Sequence, residues 1–117
     1  MAISATEVLK TFELSNVYHI NVLTNITILC DCWGMSTPSL VPDIGILSSD
    51  DLVALDKASL DMIKVKDILP NSLPTNWKLR KGGHLFECVW GKDPYLQLEP
   101  MVQKGMGNMD YKIEEVL

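Results

Sequence analysis

The stretch DIGILSSDDLVALDKASLDMI, residues 43–63, decides the fold class, because a strand, a capped junction and a helix can all be read from it. Residues 43–47 form a short apolar run suited to a buried strand. Ser48 or Ser49 then supplies a helix cap, with Asp50 and Asp51 at the positive end of the helix dipole. Beyond them Leu52, Leu55, Ser59, Met62 and Ile63 recur at helical spacing and predict the inward face, with Asp56 on or beside that stripe.

On the N-terminal side, residues 17–29 are rich in β-branched side chains, and Tyr18, Ile20, Val22, Ile26 and Ile28 alternate. The pattern predicts one long strand, or two broken near Thr24 and Asn25, with that set on one side and His19 on the solvated side. Earlier still, Ser4 and Glu7 have capping-box spacing ahead of Val8, Leu9 and Phe12, which predicts a short helix over residues 4–12. Residues 34–42 hold Gly, Ser, Thr and two prolines and read as a loop.

On the C-terminal side, Pro70 and Pro74 with Asn71 and Ser72 end the helical region, and Gly82 with Gly83 break the chain again before an ambiguous segment, residues 84–90. Asp93 and Pro94 read as a cap and first residue of a helix that stops at Gly105, kinked or divided by Pro100. Residues 111–116 suggest a last strand at an edge, or a frayed tail. The whole is an α/β chain, a small mixed sheet with helices packed on it, in a single domain over residues 1–117.

Composition narrows the function. With 47% apolar and 21% charged residues the chain carries enough hydrophobic content to fold. A net charge of -5 leaves no excess of cations for a phosphate backbone, so nucleic acid is not expected. The small basic group Lys78, Arg80 and Lys81 reads as a solvated turn. Neither a signal peptide nor a spanning segment is recognisable, and an odd count of three cysteines fits a reducing, cytoplasmic setting better than a disulfide framework.

The sharpest chemical feature is Cys30-Asp31-Cys32-Trp33. On an extended chain residues two apart face the same way, so both thiols can approach one soft metal, with Cys88 as a third donor and His84 four residues before it. Three cysteines cannot hold a four-iron cluster alone, and the spacing is not that of a zinc finger, so an iron-sulfur cluster or zinc would be incomplete within one chain. The alternatives are thiols that only pack, as small hydrophobes, and a reactive Cys32. Asp56, a carboxylate on the inward helix face, needs a partner in the 34–42 loop, a lysine, or a ligand. Asp43 can cap the loop that it ends, and Trp33 can shield a site beside the cysteines or join a core or interface. No phosphate-binding glycine loop and no flanked nucleophile is present, so the sequence assigns no reaction.

The run CDCWGMSTPSLVPDIGILSSDDLVALDKASLDMI, residues 30–63, resembles the uncharacterised iron-sulfur-centre proteins, the family called domain of unknown function 362. The resemblance rests on Cys30-Asp31-Cys32, on Val41-Pro42-Asp43-Ile44-Gly45-Ile46, and on Val53-Ala54-Leu55-Asp56-Lys57-Ala58-Ser59-Leu60-Asp61. Flanking similarity extends from about Tyr18 to the C-terminus, including residues 96–105 and 111–116. Members are usually several times longer, and many carry a ferredoxin-like insert that has no counterpart here. The resemblance therefore implies the C-terminal portion of a larger family fold, an accessory domain whose metal or cluster site is shared with a partner chain or a second copy. A small redox or metal-dependent enzyme using Cys32, with Asp31 or Asp56 as proton carrier, and a purely structural domain remain as alternatives.

Overall fold

The computed structural model describes residues 1–116, and for Asp31 the backbone alone. Four α-helices and two strands follow in the order α1 (Ala2–Leu9), β1 (His19–Leu23), β2 (Gly45–Ser49), α2 (Leu52–Met62), α3 (Leu85–Trp90) and α4 (Leu98–Gln103). The strands pair with each other as a two-stranded antiparallel sheet, which makes this a small α/β fold. By contacts the chain divides into two compact units, one of residues 1–21, 46–61 and 95 onward, the other of residues 22–45 and 62–94. No helix among the described residues is long and apolar enough to cross a membrane.

In the first unit α2 is set by its entry. Asp51 Oδ1 accepts the Ala54 amide at 2.9 Å, and Ser49 Oγ accepts the Asp51 amide at 3.0 Å, so the cap is Asp51 with the serine securing the turn before it. Val53, Ala54, Leu55, Ala58 and Ser59 are buried, which places the inward stripe about one residue away from part of the expected set. Leu52 is only partly buried, at the margin of the cluster formed by Val53, Leu98, Met101 and Met106.

Helix α1 packs against α4 and brings Ala2, Ala5 and Leu9 to that cluster. Its start at Ala2, with Met1 as N-cap, puts Ser4 inside the helix, so the expected capping box does not form and Glu7 pairs with Lys10 instead. Val8 and Phe12, expected inside, are exposed. Helix α4 begins late enough that Pro100 falls in its first turn, where a missing amide costs nothing, and one short helix results. The chain after Gly105 is not a strand; residues 107–116 have no regular structure.

Strand β1 is shorter than the apolar run that predicts it. Asn25, in the left-handed region with φ 49°, ends the alternation, so the parity of residues 18–22 does not carry through to Ile26 and Ile28. Tyr18, Ile20 and Val22 are exposed while Ile28 is buried, and His19, Asn21 and Leu23 take the inner positions of β1. The polar Asn21 is tolerated there because its amide donates to Asp56 Oδ1 and Ser59 Oγ on α2, both at 3.0 Å.

The second unit has its own core of Ile28, Leu40, Val41, Ile63, Leu85 and Val89, edged by Trp77 and Phe86 among others. Leu40 joins two loops through its backbone, donating to Ile26 O and accepting from the Leu69 amide. The ambiguous segment 84–90 is helical. His84 caps α3 by accepting the Phe86 amide on Nδ1 at 3.1 Å, and Gly91, at φ 70°, ends it. Arg80 Nη1 donates to Trp90 O at that same end, and a Cβ on residue 91 would lie 2.1 Å from it.

The cap predicts a measurable asymmetry between adjacent aspartates. Asp51→Ala should lower stability by about 1–2 kcal/mol in chemical denaturation, whereas Asp50→Ala, on an exposed neighbour, should change it by less than about 0.5 kcal/mol. Equal losses would show that the cap is not what starts α2.

Candidate functional site

The cysteine motif lies beyond the strand, on a tight turn of the second unit. Asp31–Trp33 forms a single 3-10 turn, closed by the Trp33 amide donating to Cys30 O at 3.0 Å. The premise of an extended backbone at the motif is thereby corrected: with about three residues per turn, Cys30 and Cys32 project from positions about two-thirds of a turn apart. Both are exposed. Gly34 follows at φ 68°, reversing the chain, and Trp33 and Met35 are 69% and 57% exposed. Trp33 is thus not a core residue. The Asp31 side chain lies outside the described residues.

Cys88 is built differently. It sits on the inner side of α3, 5% exposed beside Leu85 and Val89, and its Sγ donates to Gly82 O at 3.6 Å. Nowhere among the described residues are three or more His, Cys, Asp or Glu side chains gathered so as to hold a metal. Cys88 and His84 therefore do not join Cys30 and Cys32 in one set.

The two aspartates singled out from sequence have protein partners. Asp43 Oδ1 accepts the Asn25 amide at 2.7 Å, and Asn25 Oδ1 in turn accepts from Ser39 Oγ, so Asp43 stabilises the positive-φ turn that ends β1. It also lines a shallow hollow of about 190 Å³ with Val41, Pro42, Ile44, Met62 and Asp67. Asp56 is satisfied by Asn21, not by the 34–42 loop or by a lysine.

One cluster in the first unit was not expected from sequence. Asp61 accepts hydrogen bonds from Lys57, from Tyr95 Oη and from Tyr111 Oη, the last two at 2.7 Å. Lys57 Nζ also lies 5.2 Å from the Tyr95 ring centre and 5.8 Å from that of Tyr111. The Lys57–Asp61 spacing was legible as a helical ion pair; the tyrosines, 34 and 50 residues away from Asp61, gave no sequence signal. Burial works to raise the Asp61 pKa, but the hydrogen bonds from Lys57, Tyr95 and Tyr111, with the Lys57 charge, outweigh it and hold the carboxyl below its ordinary value of 3.8. The Tyr111 hydroxyl is raised above 10.0 by its hydrogen bond to Asp61, by burial and by the Asp61 charge.

Two outcomes follow from these environments. In the folded protein, Cys30 and Cys32 should be alkylated readily and Cys88 only on unfolding; a Cys88 that reacts as fast as the others would contradict its burial. Because the Asp61 pKa is lowered on folding, its stabilising contribution is full above 3.8 and lost as pH falls through the lower folded value. Asp61→Asn should therefore flatten the acid limb of the stability profile, and an unchanged limb would refute the assignment. The Tyr111 contribution runs the other way, present below 10.0 and lost as pH rises through the raised value.

Comparison with known proteins gives a single finding. No curated protein and no solved structure matches the chain significantly. The family model described as "Domain of unknown function (DUF362)" matches residues 3–61, a span that contains both strands, the cysteine turn and most of α1 and of α2. All three sequence blocks that carried the resemblance lie inside that span, and with half of the chain matched, the protein belongs to the DUF362 family.

Proposed function

We propose that the chain is a non-catalytic accessory domain of its family, which presents Cys30 and Cys32 as thiolate ligands to a metal or cluster site completed by a partner chain or a second copy. The observation that carries this reading is the exposure of both thiols on one tight surface turn. A cysteine kept only for packing is expected to be buried, as Cys88 is, so the packing explanation suits Cys88 and not the pair. Two thiolates are half of the four ligands of a structural zinc or of a four-iron cluster. The described residues do not supply the other half, which is the reason for invoking a second chain.

Association is also favoured by the sheet. Each of its two strands is an edge, and Tyr18, Ile20 and Ile46 leave apolar surface exposed. The reading takes the protein to work in a reducing, cytoplasmic compartment, where both thiols stay reduced. A redox enzyme built on Cys32 is less well supported, because Asp56, one of its two candidate proton carriers, is already engaged by Asn21.

The test is the metal and labile-sulfide content of protein isolated without oxygen, beside a Cys30→Ser/Cys32→Ser double variant. Iron or zinc in fixed proportion to the protein, absent from a variant that still folds, is expected. Metal-free protein, or metal retained by the variant, would overturn the proposal.

A further inference from the structure

One side of the sheet is open to solvent. Asn21 on the inner side bonds to α2, whereas Tyr18, Ile20 and Ile46 on the reverse are 65%, 63% and 70% exposed. Tyr18 Oη donates to Ser48 Oγ at 3.3 Å across the two strands. Because the strands run antiparallel, a step of two residues from each of these brings Ile20 beside Ile46. Neither strand contains Pro, Lys, Arg, Asp or Glu, the residues that ordinarily keep an edge from pairing with another chain. An apolar side and an unguarded edge together suit an added strand, which gains main-chain hydrogen bonds from the edge and side-chain contacts from the face.

Charge and area select the occupant. The first unit holds ten carboxylate side chains against four lysines, a formal charge of -6, while the second holds five against six basic residues. Two carboxylates of the first unit flank the strands in sequence at the Tyr18 and Ser48 end. Asp50 follows β2 directly and Glu13 precedes Tyr18 by five residues; both are exposed and form no ion pair among the described residues. A second copy docked here would set -6 against -6. The open side also presents only a few hundred Å², on the order of an ordinary surface patch, where a standard interface needs ~800 Å² per partner. The unit that bears the cysteines, near neutral, is not subject to this repulsion. We infer that the open side of the sheet binds an extended segment of another protein, with alternating apolar residues to meet Tyr18, Ile20 and Ile46 and with lysine or arginine at its ends to meet Asp50 and Glu13. This partner is recognised by the sheet alone, whether or not Cys30 and Cys32 hold a metal.

The experiment is fluorescence anisotropy with a labelled peptide of about nine residues, valine and threonine alternating between paired lysines, beside a counterpart with glutamate in place of lysine. The full chain is expected to bind the basic peptide about tenfold or more tighter than the acidic one. Binding should weaken by about tenfold in Ile20→Gln/Ile46→Gln and in Asp50→Lys, and by less than about twofold in Glu99→Lys, which makes the same charge change on α4. Equal losses in Asp50→Lys and Glu99→Lys would reduce the effect to nonspecific attraction and overturn the inference, as would equal or absent binding of the two peptides. A dimer in sedimentation that Ile20→Gln/Ile46→Gln abolishes would give the surface to a second copy and overturn it as well. The metal content of the isolated protein, which tests the cysteines, is untouched by any of these results.

Discussion

The carboxylate of Asp51 is the interaction on which the first unit depends. One oxygen receives the Ala54 amide and starts α2; the other receives the Asn108 amide at 2.9 Å and ties down the chain after α4. The approach is so close that a Cβ on residue 107 would meet Asp51 Oδ1 at 2.1 Å, and Gly107 stands there at φ 151°. At the far end of the same helix Asp61 collects Lys57, Tyr95 and Tyr111. A segment without regular structure is thus held along α2 by two carboxylates, where a strand would have used a backbone ladder.

This arrangement explains what was legible in the sequence and what was not. Helix α2 and its serine-aspartate entry were readable because caps and periodicity are local properties. The interruption near Asn25 was readable too, yet its consequence was not: one residue at positive φ resets which side chains face inward, so Ile20 and Ile28 part company despite sharing parity. The polar inner residue Asn21 could not be foreseen because its justification lies 35 and 38 residues away on α2. Asp61 and its tyrosines are a second case of the same kind.

At the cysteine motif the local pattern misled for a different reason. Spacing by two puts both thiols on one side only of an extended chain, whereas the strand ends at Leu23, inside the apolar run that predicts it, and the motif sits on a 3-10 turn. Exposure, which no pattern rule supplied, separates the cysteines into a surface pair and a buried single residue, and it moves Trp33 from core to surface. The family match covers the surface pair and leaves Cys88 outside its span.

The division into two units also sorts the aromatic residues. Trp33, Trp77 and Trp90, all three tryptophans of the chain, belong to the second unit, where Trp77 and Trp90 stack edge to face at 5.3 Å and Trp90 Nε1 donates to Ile28 O. All three tyrosines, Tyr18, Tyr95 and Tyr111, belong to the first. The second unit therefore carries an optical label that the first lacks. Light at the red edge of tryptophan absorption interrogates only the unit that bears the cysteines, so loosening of that half can be followed without adding a dye.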